Sequence, residues 1–182
     1  ETINTLRNSI IMLQFMLPWS PSIFYGDEVG MWWADDPDNR KPMLRPTMNF
    51  APQSECLYDT ITYCNSWSKK HSVKHNKDLP ELYKKLIALR KSNTALRYGD
   101  INPNIVINKW PDDGILSFSR SRENNTVYFI SNQNTWYKNI DIKIFTWIPH
   151  SKRQNPITQQ TYIADQDTKI SFNLLPESSI IL

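Results

Sequence analysis

The sequence has too little cysteine for a disulfide framework or a structural zinc site. Its two cysteines, Cys56 and Cys64, fall short of the about four closely spaced ligands that such a zinc ion takes. Free, partly buried thiols are expected instead, because cysteine often packs as a small hydrophobic side chain. The sequence therefore predicts no metal site and no cofactor.

Long hydrophobic runs are also missing. The longest, from Ile10 to Leu17, is interrupted by Gln14 and is well short of the roughly 20 residues that cross a membrane. No basic leader with a small-residue cleavage site is visible. The first residue is Glu1 rather than Met, and helical patterning begins at once, so we expect a chain that starts inside a longer protein. No membrane partner is predicted.

Strong net charge is absent, since the formal value is only +3. Part of it lies in one basic run, residues 68–75, which contains His71 and His75. The run lacks interleaved aromatics and a nucleic-acid motif, so a solvated loop face is expected and no nucleic-acid partner is predicted. The two histidines stand four residues apart without a third ligand or a glutamate between them, which argues against a shared metal.

A length of 182 residues, with 40% hydrophobic and 12% aromatic content, suits a packed protein of one domain or two small ones. The pattern of the first part is helical. A helix is predicted over residues 3–17 and ends before Pro18. Pro21 to Tyr25 reads as a short buried strand, so helix, turn and strand form one unit of an alternating α/β fold. The apolar stripe of the helix consists of Ile3, Leu6, Ile10, Leu13 and Leu17, widened by Ile11, Met12, Phe15 and Met16 so that most sides are expected to be buried.

A long loop is predicted from Asp27 to about Leu79, with a short helical turn around Cys56 to Tyr63. Loops of this length inside a domain are usually functional. The clearest helix follows, from Leu79 to Ser92, with Asp78 as its expected cap and Pro80 in its first turn.

After Asp100 the apolar residues alternate with a period of two, which is typical of half-buried strands. The pattern predicts an antiparallel β-sandwich. We therefore place a boundary near residue 100, between residues 1–100 and residues 101–182. The predicted strands include residues 105–107, 115–119, 126–130, 140–144, 169–172 and 178–182.

The most informative stretch is the loop after Tyr25. It reads Tyr-Gly-Asp-Glu-Val-Gly-Met over residues 25–31 and Asp-Asp-Pro-Asp-Asn-Arg-Lys-Pro-Met over residues 35–43. These two phrases resemble the segment after the last barrel strand in the α-amylase family (glycoside hydrolase family 13), most of all in cyclomaltodextrinases and neopullulanases. The resemblance implies the C-terminal end of a TIM (β/α)8 barrel followed by the β-sandwich.

No catalytic residue is predicted in this chain. Retaining glycosidases need two carboxyl groups about 5 Å apart across the scissile bond, and Asp27 and Glu28, as neighbours at a strand end, would point to opposite faces. The resemblance places the catalytic carboxylates after earlier barrel strands, and the family's His-Asp pair does not occur here. The chain is thus expected to be the carboxyl-terminal portion of a retaining α-glucan hydrolase, and inactive alone.

The resemblance assigns substrate contact to the Asp and Arg of the second phrase, here Asp36 and Arg40. A carboxylate accepts from vicinal hydroxyls and a guanidinium donates in a fixed fork. The alternative is an ion pair between them that holds a turn. Trp32 and Trp33 are candidate stacking faces for glucose rings, or else loop-core residues. Glu28 is expected to order the loop through hydrogen bonds.

Some positions depart from the family pattern, and one other function stays open. Trp19 and Trp33 stand where relatives often carry glycine, and Arg45 stands where many carry tryptophan, so the bond and glucan preference is left open. The alternative is a non-catalytic carbohydrate-binding or structural module, with Trp110, Trp136 and Trp147 as stacking platforms. The expected partner is an α-glucan oligosaccharide, and a homodimer of the whole enzyme is one option.

Overall fold

The computed structural model describes residues 2–32, 40–48, 50–54, 70–103, 105–106, 114–143 and 150–182. Contacts divide the chain into two compact units, one of Glu1–Pro21 with Lys84–Leu182 and one of Ser22–Tyr83. The helices are α1 (Thr2–Met16), a 3-10 helix (Asp27–Val29), α2 (Leu79–Ser92) and α3 (Thr94–Tyr98). The strands are β1 (Gln53–Ser54), β2 (Lys70–His71), β3 (Asp100–Pro103), β4 (Ile115–Arg122), β5 (Asn125–Asn132), β6 (Lys138–Lys143), β7 (Lys152–Gln154), β8 (Thr161–Ile163), β9 (Lys169–Leu174) and β10 (Ser179–Ile181).

The first unit is built around antiparallel sheets. Strands β10, β5, β4 and β3 form one sheet in that order, and β6 pairs with β9. Both sheets contribute to a single hydrophobic core, with Tyr128 and Ile130 from β5 and with Ile140 and Ile142 from β6. The predicted antiparallel β architecture is therefore confirmed for this part of the chain.

Five of the predicted strands coincide with or overlap β4, β5, β6, β9 and β10, and residue 144 of the predicted strand 140–144 lies outside the described residues. Of residues 105–107, Val106 makes an isolated bridge to Ile142, and residue 107 lies outside the described residues. Strands β1, β2, β3, β7 and β8 were not predicted. They are two to four residues long, and β7 reads Lys-Arg-Gln without any apolar alternation.

Helix α1 is present as predicted, but the buried side of the helix differs from the prediction. Ile11, Phe15 and Met16 are buried, whereas Leu6 and Ile10 of the predicted stripe are 39% and 60% exposed. The periodicity indicates which faces of a helix are apolar but not which of them meets a neighbour. The prediction that most sides are buried is wrong for this chain.

No strand is formed by residues 21–25, which corrects the predicted barrel strand. A strand exists only through hydrogen bonds to a neighbouring strand, and no described strand of the chain lies beside this segment. The start of α2 also differs from the prediction. The side-chain oxygen of Asn76, rather than that of Asp78, accepts hydrogen bonds from the amides of Asp78 and Leu79, at 2.9 and 3.1 Å.

A buried arginine of the first unit, Arg120, binds the carboxyl end of α1. The guanidinium of Arg120, which is 1% exposed, donates to the carbonyl of Met16 at 3.0 Å and twice to that of Gly99, at 3.0 and 2.7 Å. Gly99 is needed there, because an added Cβ would lie 2.5 Å from the carbonyl oxygen of Ala95.

Measured by length and hydropathy, none of the described helices would cross a lipid bilayer.

Candidate substrate-binding loop

The first phrase of the loop folds into a tight turn in the unit Ser22–Tyr83. Gly26 and Gly30 flank the 3-10 helix with positive φ angles of 95° and 68°, a conformation that glycine adopts at little cost. The Gly26 carbonyl accepts from the amides of both Val29 and Met31, at 3.2 and 2.9 Å. The two glycines of the phrase are therefore used to reverse the chain direction.

The carboxylate of Glu28 orders this turn. One of its oxygens accepts a hydrogen bond from the Gly26 amide at 2.8 Å. A carboxylate bound to a backbone amide is a charge-assisted hydrogen bond and is stronger than a neutral one. The prediction that Glu28 orders the loop is confirmed.

The second phrase is held to the first by Tyr25 and Lys41. The Tyr25 hydroxyl donates to the Lys41 carbonyl at 3.0 Å. The Lys41 ammonium donates to the Trp32 carbonyl at 2.6 Å and to the side-chain oxygen of Gln53. The Lys41 side chain therefore cross-links two separate parts of the loop. The sequence carried no signal for this role, since Gln53 lies far along the loop.

A small hydrophobic core packs around the turn. Val29, Met31, Leu44 and Val73 are buried together, and the amide of Leu44 donates to the Met31 sulfur at 3.3 Å. Trp32, Met43 and Phe50 pack against this cluster. The loop thus has its own core, which restricts the positions of the side chains that it carries.

Trp32 takes part in this packing. Its ring stacks on that of His71, with centroids 3.8 Å apart and planes inclined by 18°, and its buried indole N–H meets no acceptor within the described residues. His71 lies on β2, which pairs with β1 so that Gln53 faces His71. One face of the Trp32 ring is therefore covered by protein, which favours the packing role and leaves at most one face for a sugar.

The other predicted site residues are only partly described. Asp36 and Trp33 lie outside the described residues, as do Cys56, Cys64, and the predicted helical turn around residues 56–63. Arg40 is exposed and directly precedes Lys41. The sugar contacts of Asp36, Arg40, Trp32 and Trp33 stay predictions.

A shallow cleft of about 540 Å³ lies elsewhere, within the first unit, and is lined by Phe15, Pro21, Ile87, Arg90, Arg97 and Tyr98 among others. Its central cation is already engaged. Arg90 donates to the carbonyls of Phe15, Leu17 and Trp19 at 2.6 to 3.0 Å, and burial lowers the pKa of its guanidinium. We therefore read Arg90 as a cap for the carboxyl end of α1, where a helix favours a cation.

Comparison with known proteins points in one direction. No protein-family model matches the chain. It is 30% identical over 164 residues to a cyclomaltodextrinase of Geobacillus thermopakistaniensis (strain MAS1), covering 87% of this chain and 22% of that protein. It is 28% identical over 136 residues to an intracellular maltogenic amylase of Bacillus subtilis, covering 74% of this chain and 18% of that protein. The chain thus spans about a fifth of the length of these curated relatives.

The fold agrees with this similarity. An α-amylase of Geobacillus thermoleovorans, solved with acarbose, superposes with a TM-score of 0.67 over 100% of this chain and 33% of that one, at 18% identity. At that identity the likeness shows the fold alone. Together with the similarity to cyclomaltodextrinase, maltogenic amylase and neopullulanase, it confirms that this chain resembles the carboxyl-terminal part of enzymes of the α-amylase family.

Proposed function

We propose that this chain is the carboxyl-terminal portion of a retaining glycoside hydrolase that acts on α-glucans. In that whole protein it contributes a substrate-binding loop and an antiparallel β domain. The observation that carries the proposal is the ordered turn of residues 25–31, with Glu28 bound to Gly26 at 2.8 Å, in a chain that matches a cyclomaltodextrinase over 87% of its length.

The proposal places residues 1–100 at the end of a (β/α)8 barrel. Helices α1 and α2 would be the last two barrel helices, and residues 21–25 would be the last strand. That segment becomes a strand only beside its barrel neighbours, and a whole barrel takes about 250 residues. The exposed apolar face of α1, with Ile10 at 60% exposure, supports a further packing partner in the whole protein.

Asp36 and Arg40 would hold one glucose unit. The carboxylate accepts hydrogen bonds from two neighbouring hydroxyls while the guanidinium donates from its fork. The exposed position of Arg40 next to the anchored Lys41 supports this role. Trp33, and the face of Trp32 opposite His71, would stack on adjacent sugar rings.

Bond cleavage would use two carboxyl groups from other parts of the whole enzyme, in a double displacement that retains the anomeric configuration. Glu28 is unsuited to that task, since its carboxylate is engaged with the Gly26 amide. The loop of this chain would instead stabilise the substrate near the reacting bond. Such contacts raise the rate to the extent that they strengthen in the transition state.

The test is substitution within the whole enzyme. We expect Asp36→Ala and Arg40→Ala each to lower kcat/KM for maltodextrins by about tenfold or more, equivalent to about 1.4 kcal/mol of lost transition-state stabilisation. Arg122→Ala is the matched control, because Arg122 is an exposed arginine on β4 outside the loop. If the double variant keeps the kcat/KM of the wild type, the loop does not grip the substrate.

A further inference from the structure

One exposed aromatic patch lies outside the loop, in the β domain. Trp136, Tyr137 and Leu175 are 58%, 66% and 53% exposed, and we call them the Trp136 patch. Trp136 and Tyr137 lie in the connection between β5 and β6, and Leu175 follows β9 directly. Single exposed apolar residues need no explanation, but grouped ones mark binding sites.

The patch is built on a buried polar anchor. Asn132 is 0% exposed, and its side-chain amide donates to the carbonyls of Trp136 at 2.8 Å and Leu175 at 3.1 Å, with a third contact to Leu174 at 3.3 Å. Its oxygen accepts from the amide and the side chain of Asn134, at 3.0 and 2.9 Å. One buried side chain therefore joins the two connections that carry the patch.

Backbone hydrogen bonds fix the same two connections. The amide of Gln133 donates to the Gly114 carbonyl at 2.8 Å, and the amide of Glu177 donates to the Asn134 carbonyl at 3.0 Å. Satisfied buried networks rigidify a structure, and a rigid surface loses little conformational entropy on binding. The aromatic side chains are thus exposed on a preorganised support.

We propose that the Trp136 patch is a second glucan-binding site, separate from the loop of residues 25–43. A glucose ring presents C–H bonds on its faces and hydroxyls at its edge, so it stacks on an aromatic ring and hydrogen bonds to groups beside it. The Lys138 ammonium lies over one face of the Trp136 ring, 5.9 Å from the ring centroid, so a sugar ring would stack on the opposite face. The identity of the ligand rests on the proposed function; the existence of the platform does not.

The experiment compares the migration of the 182-residue chain in native gels with and without soluble starch. Retention means the slowing of the chain that starch causes. We expect Trp136→Ala to weaken retention by at least about fivefold, as for a central aromatic of an interface, Tyr137→Ala to weaken it less, and Trp136→Phe to restore part of it. Trp19→Ala is the matched control, since Trp19 is 65% exposed and should change retention by less than about twofold. Far-UV circular dichroism verifies that each variant is folded.

The outcomes separate this site from the loop. Retention lost in Trp136→Ala but kept in the Asp36→Ala, Arg40→Ala double variant supports the second site, whatever that double variant does to kcat/KM. Retention lost only in the double variant overturns the second site and leaves the proposed function standing. The second site is also overturned if starch does not slow the wild-type chain, or if Trp19→Ala loses as much retention as Trp136→Ala. A dimer in sedimentation that Trp136→Ala dissociates would mean that the patch binds a second copy of the chain, which also overturns it.

Discussion

At the scale of single residues, the glutamate of the first loop phrase acts on the shape of the loop. The Glu28 carboxylate accepts a hydrogen bond from the Gly26 amide at 2.8 Å. Gly26 has a φ angle of 95°. The turn therefore combines a residue that reaches the left-handed conformation at little cost with a carboxylate that stabilises it. Two adjacent acids in this loop need not be a catalytic pair.

We predict that Glu28→Ala will loosen this turn. Removing the acceptor costs about 1.5 to 3 kcal/mol for a hydrogen bond to a charged group, so exchange of the Gly26 amide hydrogen should accelerate by about tenfold or more. Glu28→Gln, which keeps an acceptor oxygen, should fall between alanine and wild type. Equal protection of Gly26 in all three proteins would show that the hydrogen bond does not hold the turn.

The sequence predicts some of these residue roles and not others. The role of Glu28 was expected from the resemblance of the loop phrase to the α-amylase family. The cross-link from Lys41 to Trp32 and Gln53 does not follow, since it joins positions without a shared period. Trp32 had two readings from the sequence alone, and the stacking of His71 at 3.8 Å favours packing for one face of the ring.

At the scale of elements, the alternation of apolar and polar residues correctly predicted the buried face of a strand. The apolar pattern of a helix did not predict which of its faces is buried. Ile140 and Ile142 alternate with charged residues and both are buried in β6. In α1 the apolar residues surround much of the helix, and the face with Ile10 is the exposed one. A strand has two faces and the polar one is evident, whereas an apolar helix gives no such contrast.

Arg120 joins three elements, and we predict that Arg120→Lys will destabilise the first unit by about 2 kcal/mol or more. A lysine has no planar fork, so the carbonyls of Met16 and Gly99, which accept from Arg120 at 2.7 to 3.0 Å, would lose buried donors. Urea unfolding followed by circular dichroism measures the change. Arg122→Lys, two residues along β4 and exposed, is the control. Equal midpoints for the two variants would contradict the prediction.

The β6–β9 pair should carry a pH-dependent contribution. A hydrogen bond from Ser171, the cross-strand neighbour of Asp141, together with the Lys169 ammonium at 3.0 Å, lowers the pKa of the Asp141 carboxyl. A pKa that is lower in the folded chain stabilises the fold at pH above the ordinary aspartate value of about 3.9. That stability is lost as the pH falls through the lowered pKa.

We therefore predict that Asp141→Asn will be less stable than wild type near neutral pH, by about 1 kcal/mol or less. The difference should shrink when urea midpoints are followed from about pH 6 to about pH 3. Asp167→Asn serves as the control, because Asp167 is an exposed carboxylate that precedes β9. A difference between Asp141→Asn and wild type that stays constant with pH would refute the contribution.

At the scale of the whole molecule, the sequence predicts one strand that finds no partner among the described strands of this chain. The antiparallel domain forms from residues within the chain, because β5 pairs with both β4 and β10. The segment of residues 21–25 has the composition of a buried strand and yet no described strand pairs with it. Sequence reasoning recognised that segment from its apolar run, but its pairing depends on neighbours that such a run does not contain.

This difference predicts how the isolated chain behaves. The purified 182-residue chain should release no reducing sugar from maltooligosaccharides, because we place both catalytic carboxyl groups outside it. Its unit Ser22–Tyr83 should exchange amide hydrogens faster than β4 and β5, since a segment with fewer packing partners opens at lower free energy. The whole enzyme under the same conditions is the positive control. Hydrolysis by the isolated chain that Asp27→Asn or Glu28→Gln abolishes would place a catalytic carboxylate in this loop, and the division of labour proposed above would then be wrong.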